Sequence, residues 1–86
     1  MKVIVGIPAF NEEKNIAVLI IQLKKIADKI IVCNDGSTDL TSKIAEELGA
    51  TMINHEKNLG YGAAIRSLFL KSKDLDADIL VTFDAD

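Results

Sequence analysis

Acidic side chains recur where apolar runs end, and these residues have the most chemistry to offer. Asp84 and Asp86 flank Ala85 after the run Ile79 to Phe83, Asp35 follows Ile30 to Cys33, and Glu12 comes soon after Val3 to Pro8. Acids at positions i and i+2 project to one side of an extended chain, about 6.5 to 7 Å apart along it, so one divalent cation can meet one or both. Mg2+ or Mn2+ prefers such hard oxygen donors and commonly uses one or two carboxylates, with water and substrate phosphates completing its shell. Asp35 offers something different: a carboxylate accepts hydrogen bonds from the ring and exocyclic N–H groups of a nucleobase. Taken singly, each acid also has a plainer reading. Asp84 and Asp86 fit solvated loop acids, Asp35 fits a turn residue, and Glu12 fits a favourable charge in the first turn of a helix.

Other candidates carry less. Asp74, Asp76 and Asp78 alternate, yet they precede a strand and fall at its opposite end. A calcium-loop reading of that trio fails because Ile79 stands where glycine is needed and Ala85 where a bidentate Glu would sit. Gly60-Tyr61-Gly62-Ala63-Ala64 invites a dinucleotide reading, but the first βα turn, Pro8-Ala9-Phe10-Asn11, contains no glycine, which excludes a nicotinamide enzyme. The helix starting there either presents N–H groups to a phosphate, with Arg66 nearby, or uses its glycines for packing. His55 has no Ser, Cys or carboxylate partner at a recognisable motif spacing and reads as a surface-loop residue. Cys33 reads as a buried, inert thiol, and Tyr61 either covers a ligand or is a partly exposed aromatic at a helix entrance.

The elements that must position these groups follow from periodicity. Val3-Ile4-Val5, Ile30 to Cys33, Thr51 to Asn54 and Ile79 to Phe83 are short, apolar and β-branched, as buried strands are. Between them, Ile16, Leu19, Ile20, Leu23 and Ile26 recur at helical spacing within Glu12 to Lys25, with Asn11 placed as the cap. Leu40, Ile44, Ala45 and Leu48 mark a second helix capped by Ser37 or Thr38, and Ala64, Ile65, Leu68 and Phe69 a third over Ala63 to Lys73. The order β-α-β-α-β-α-β, with strands too apolar to face water, predicts an α/β fold: a three-layer, Rossmann-like parallel sheet covered by helices. In that architecture ligands bind beyond the carboxyl ends of the strands, so the acidic clusters share one rim.

Composition bounds the rest. The chain has 86 residues, of which 49% are apolar and 27% charged, with one Cys and one His. That describes one small domain with an aliphatic core and neither a disulfide framework nor structural zinc. A net charge of −3 argues against nucleic acid as the principal partner. The longest apolar run, Ile16 to Ile21, is far short of the roughly 20 residues that span a bilayer, and no signal peptide is evident. A reducing, cytoplasmic setting is expected.

Four segments in this order, Ile7-Pro8-Ala9-Phe10-Asn11-Glu12-Glu13, Cys33-Asn34-Asp35-Gly36-Ser37-Thr38-Asp39, Asn58-Leu59-Gly60 and Phe83-Asp84-Ala85-Asp86, resemble the family 2 glycosyltransferases of GT-A fold. Within that family the dolichol-phosphate or polyprenyl-phosphate mannosyl- and glucosyltransferases are the most similar in style. The resemblance implies that Pro8, Phe10 and Glu12 hold the nucleotide, that Cys33 and Asp35 line the base site, and that Asp84 and Asp86 bind Mg2+ or Mn2+. Ala85 would contact the nucleotide-sugar. Asn34 stands where the family often has Asp, and Phe10 where it often has Tyr.

The implied activity is inverting transfer of a sugar from a UDP- or GDP-linked donor to an acceptor such as a polyprenyl phosphate, at the cytoplasmic face of a membrane in a full-length form. In relatives the catalytic base and acceptor groove lie downstream of the last motif. Residues 1–86 are therefore expected to be the nucleotide-binding part of such a domain, truncated at the D-x-D motif and inactive alone. The alternative is a non-catalytic nucleotide-binding or assembly module that self-associates through the exposed edge of the fourth strand.

Overall fold

The computed structural model describes residues 1–85. The elements follow in the order β1 (Val3–Ala9), α1 (Ile16–Leu23), β2 (Lys29–Asp35), α2 (Thr41–Glu47), β3 (Thr51–His55), α3 (Tyr61–Asp74) and β4 (Ile79–Thr82). All strand pairings are parallel, and the sheet order is β3-β2-β1-β4. The predicted α/β class and parallel sheet are what the chain adopts.

Alternation along the strands decides which face each side chain takes. Val5, Ile7 and Ala9 of β1, with Ile30 and Val32 of β2, pack against Ile16, Ile20 and Leu23 of α1 and Ala45 of α2. Ile4, Ile31 and Cys33 point the other way, onto Ala64 and Leu68 of α3. The sheet is thus sandwiched between α1 with α2 on one face and α3 on the other. α1 has no side-chain cap. Its three buried side chains, each worth about 1.5–3 kcal/mol on burial, hold it in place instead.

The sheet order puts β1 between β2 and β4, so the chain runs outward to β3 and then crosses back to the far side of β1. This reversal is a topological switch point, where an open parallel sheet leaves a crevice beyond its carboxyl ends. At the opposite end, Asp28 accepts the Val3 N–H at 2.7 Å and Asp78 the Lys2 N–H at 2.6 Å. Those two acids tie strand starts to the loops before β2 and β4.

Among the boundaries that differ from the periodicity, three bear on the site. α1 begins at Ile16 rather than Glu12, because Asn11 takes φ 53° and the Glu12 carbonyl closes a turn by accepting the Asn15 and Ile16 N–H groups. α2 begins at Thr41, and neither Ser37 nor Thr38 caps it. β2 extends through Asn34 and Asp35, which pair in register with Asn54 and His55 of β3 instead of forming a turn. Among the described residues no helix is long and apolar enough to cross a membrane.

Candidate nucleotide site

The loops after β1 and β2 are laced together by side chains, among them Asn11 and Ser37, which were expected to cap helices. Asn11 Oδ1 accepts the Thr38 N–H at 2.8 Å, and Ser37 Oγ accepts the Asn11 N–H at 2.9 Å. Thr41 Oγ1 accepts the Glu12 N–H at 2.9 Å, and Glu13 accepts the Leu40 N–H at 3.1 Å. Ser, Thr, Asn and Asp side chains bond readily to nearby backbone, and here that capacity is spent between loops. The result fixes the segment from Pro8 to Glu12 relative to the end of β2.

At the end of β2 stands Asp35, 5% exposed. Its Oδ1 accepts the Leu59 N–H at 2.8 Å and lies 2.8 Å from His55 Nδ1; its Oδ2 accepts the Gly60 N–H at 3.0 Å. Burial pushes this carboxyl up, but the hydrogen bonds from His55, Leu59 and Gly60 and the attraction of the His55 ring outweigh it and hold Asp35 below the usual carboxylate range. The loop that supplies those N–H groups depends on two glycines. A Cβ on Gly36, at φ 78°, would stand 2.4 Å from Asn58 N, and Gly60 adopts φ 99° as it enters α3.

These pieces enclose a cavity of about 360 Å3. Pro8, Ala9, Phe10 and Glu12 line it from β1, Asp35 from β2, Asn58, Gly60, Tyr61 and Ala64 from the entrance of α3, and Asp84 and Ala85 from beyond β4. A second cavity of about 290 Å3, between α1 and the same Asp84-Ala85 segment, adjoins it. Three carboxylates and no Lys or Arg line the larger cavity among the described residues. An anionic ligand there needs a cation of its own.

The sequence-predicted residues converge with two qualifications. Pro8, Phe10, Glu12, Asp35, Asp84 and Ala85 all line the cavity, and Asp86 lies outside the described residues. Cys33 does not line it. Its side chain is fully buried on the α3 face, and it reaches the site only through a 3.6 Å contact from Sγ to His55 Nε2. Burial and then the charge of Asp35 push its thiol up to about 11, which fits the inert role. Arg66 is exposed and stands apart from the cavity lining.

His55 was misread. It ends β3 with a side chain only 10% exposed, bridging Asp35 and Ser67, whose Oγ lies 2.8 Å from Nε2. The Asp35-His55-Ser67 connectivity resembles that of a hydrolytic triad, but Ser67 does not open onto the cavity and so has no substrate to attack. The missed signal is strand register: once β2 and β3 are parallel neighbours, Asp35 and His55 sit side by side.

A parallel β3-β2-β1-β4 sheet with an acid-lined crevice at its switch point is the GT-A architecture. The profile of Glycosyl transferase family 2 matches residues 4–86, and the chain belongs to that family. It is 40% identical over 98 residues to a UDP-N-acetylglucosamine–dolichyl-phosphate N-acetylglucosaminyltransferase of Methanococcus voltae, covering 93% of this chain and 39% of that one. A dolichyl-phosphate hexose transferase of Haloferax volcanii is 37% identical over 79 residues, covering 90% and 33%. The fold matches a crystal structure of glucosyl-3-phosphoglycerate synthase from Mycobacterium tuberculosis in complex with Mn2+, UDP and glucosyl-3-phosphoglycerate, with TM-score 0.82, 33% identity, and coverage of 99% and 33%. Another crystal structure of that synthase contains Mg2+ and UDP, at TM-score 0.81. The chain thus spans between 33% and 39% of the length of these relatives.

Proposed function

We propose that this chain binds a nucleoside diphosphate sugar, UDP- or GDP-linked, in the cavity beyond β1, β2 and β4, as the donor site of a glycosyl transfer. The observation that carries the reading is the placement of Asp35 and Asp84 on one cavity, reached from two strands on either side of β1. Asp35 receives the base, and the ring of Phe10, 46% exposed on the cavity, offers it an apolar surface. The diphosphate lies toward Asp84 and Ala85.

The donor set fits Mg2+ or Mn2+. Asp84 supplies a hard oxygen at the exposed end of the cavity, and Asp86 is the second proposed ligand. No cluster of three or more His, Cys, Asp or Glu capable of holding a metal occurs among the described residues. An ion held by one or two carboxylates completes its shell with water and substrate phosphates. When bound, such an ion would neutralise the diphosphate and, as a Lewis acid, favour its departure. The protein's own work is to orient the base on Asp35 and to keep Pro8 to Glu12 rigid through the Asn11 and Thr41 contacts.

For the acceptor we propose a polyprenyl phosphate, supported by the two relatives named for dolichyl-phosphate transfer. Such an acceptor would place the activity at a membrane surface. The test is calorimetric titration with UDP-glucose, UDP-N-acetylglucosamine and GDP-mannose, with and without Mn2+, on the wild-type chain and Asp35→Ala. Saturable binding that Asp35→Ala abolishes is expected; equal binding by the variant would overturn the assignment of Asp35.

A further inference from the structure

We infer that His55 is a specificity-determining residue, one that limits the base at Asp35 to a ring with a single imide N–H, such as uracil. The inference rests on the reading that Asp35 faces the base. An ionised carboxylate has about four acceptor positions, two on each oxygen. On Oδ1 both are taken, by the Leu59 N–H and by His55 Nδ1, each at 2.8 Å. On Oδ2 one is taken by the Gly60 N–H at 3.0 Å. Among the described residues, one acceptor position is left.

The tautomer follows from the partners. An ionised Asp35 only accepts, so the His55 Nδ1 must carry a proton, and in a neutral ring Nε2 then accepts from the Ser67 hydroxyl 2.8 Å away. Ser67 holds the ring, and the ring holds Oδ1. His55 is a positioning residue in this respect, since it acts on the base through Asp35.

The consequence is a filter on donors. Guanine presents N1–H and an amino N–H side by side and needs both carboxylate oxygens at once; with Oδ1 filled, one of its donors would be buried without a partner. Cytosine directs an acceptor, N3, at a carboxylate and is repelled. Uracil brings one imide N–H to the one open position on Oδ2. A site with a fixed complement of polar partners discriminates strongly against a base that leaves one unpaired.

The experiment compares Kd for UDP and GDP, in Mn2+, across the wild-type chain, His55→Ala and His55→Asn, with circular dichroism as a check on folding. The wild type should prefer UDP by about tenfold or more. His55→Ala frees Oδ1 and should narrow that ratio at least several-fold. His55→Asn returns an N–H near the position of Nδ1 and should restore it. If His55→Ala weakens both nucleotides equally and leaves the ratio unchanged, the histidine is merely structural and the inference fails. If the wild type binds neither nucleotide while folded, the donor-site reading itself fails.

A second measurement needs no variant. The chain has one histidine, so its imidazole 15N signals are unambiguous. They should report a proton on Nδ1; an unprotonated Nδ1 would overturn the filter, because that nitrogen could not then occupy Oδ1.

Discussion

The backbone N–H of Gly60 donates to Oδ2 of Asp35 at 3.0 Å, joining the end of β2 to the entrance of α3 across 25 residues of chain. With the Leu59 N–H on Oδ1, the carboxylate closes the loop that separates β3 from α3. Asp35→Ala should therefore destabilise the fold as well as empty the base site. Each N–H left buried without a partner costs about 1–3 kcal/mol. Urea denaturation should show a fall of that order, and an unchanged midpoint would mean that water replaces the carboxylate freely.

The same contacts set a pH dependence. Asp35 and Asp39 are both held below the usual carboxylate range, Asp39 by the Thr41 hydroxyl and by the N–H groups of Thr41 and Glu13, which outweigh the upward push of burial. A depressed folded-state value means that the unfolded chain binds protons first as pH falls. The stabilisation is complete above the ordinary value of about 3.9 and is lost as pH drops below it toward the folded values. Denaturation midpoints between neutral and acidic pH should fall steeply in the wild type and more gently in Asp35→Asn; identical slopes would remove Asp35 from the explanation.

Gly36 is the tightest backbone approach at the site. An alanine there must hold φ near 78° and place its Cβ 2.4 Å from Asn58 N, a backbone atom that cannot swing aside. Left-handed strain costs about 1–2 kcal/mol and overpacking a further 1–3 kcal/mol or so. Gly36→Ala should lower thermal stability by several degrees or more and weaken nucleotide binding, whereas Gly62→Ala, whose Cβ meets nothing within 4 Å, should do neither. Equal effects from the two would contradict the close approach.

Cys33 should be chemically silent. Its side chain is fully buried and its thiol is pushed up to about 11. Iodoacetamide at mildly alkaline pH should leave the native chain unmodified and label it fully in denaturant, as mass spectrometry would show. Rapid labelling of the folded protein would place the thiol on an accessible surface.

Much of this architecture was legible in the residues. The β-branched runs gave four strands, helical spacing gave three helices, and the switch from one period to the other gave their order. The rim carrying Glu12, Asp35 and Asp84 followed from the rule that parallel strands present their carboxyl ends together. What could not be read was contact between strands. His55 looked solitary because its partners, Asp35 and Ser67, are 20 and 12 residues away and meet it only through register and helix docking. Asn11, Ser37 and Thr38 looked like caps because cap and cross-loop contacts draw on the same side-chain oxygens, and only the folded distance between loops decides which is made.

The most direct test of the donor site is a titration of the wild-type chain with UDP in Mn2+, repeated with the cation chelated and again with Asp84→Asn. A cavity with three carboxylates and no basic side chain in its described lining should reject a bare diphosphate. Saturable binding in Mn2+, lost on chelation and at least tenfold weaker in Asp84→Asn, is the predicted result on the view that this acid is a principal ligand. Binding of equal strength with and without the cation would contradict the account.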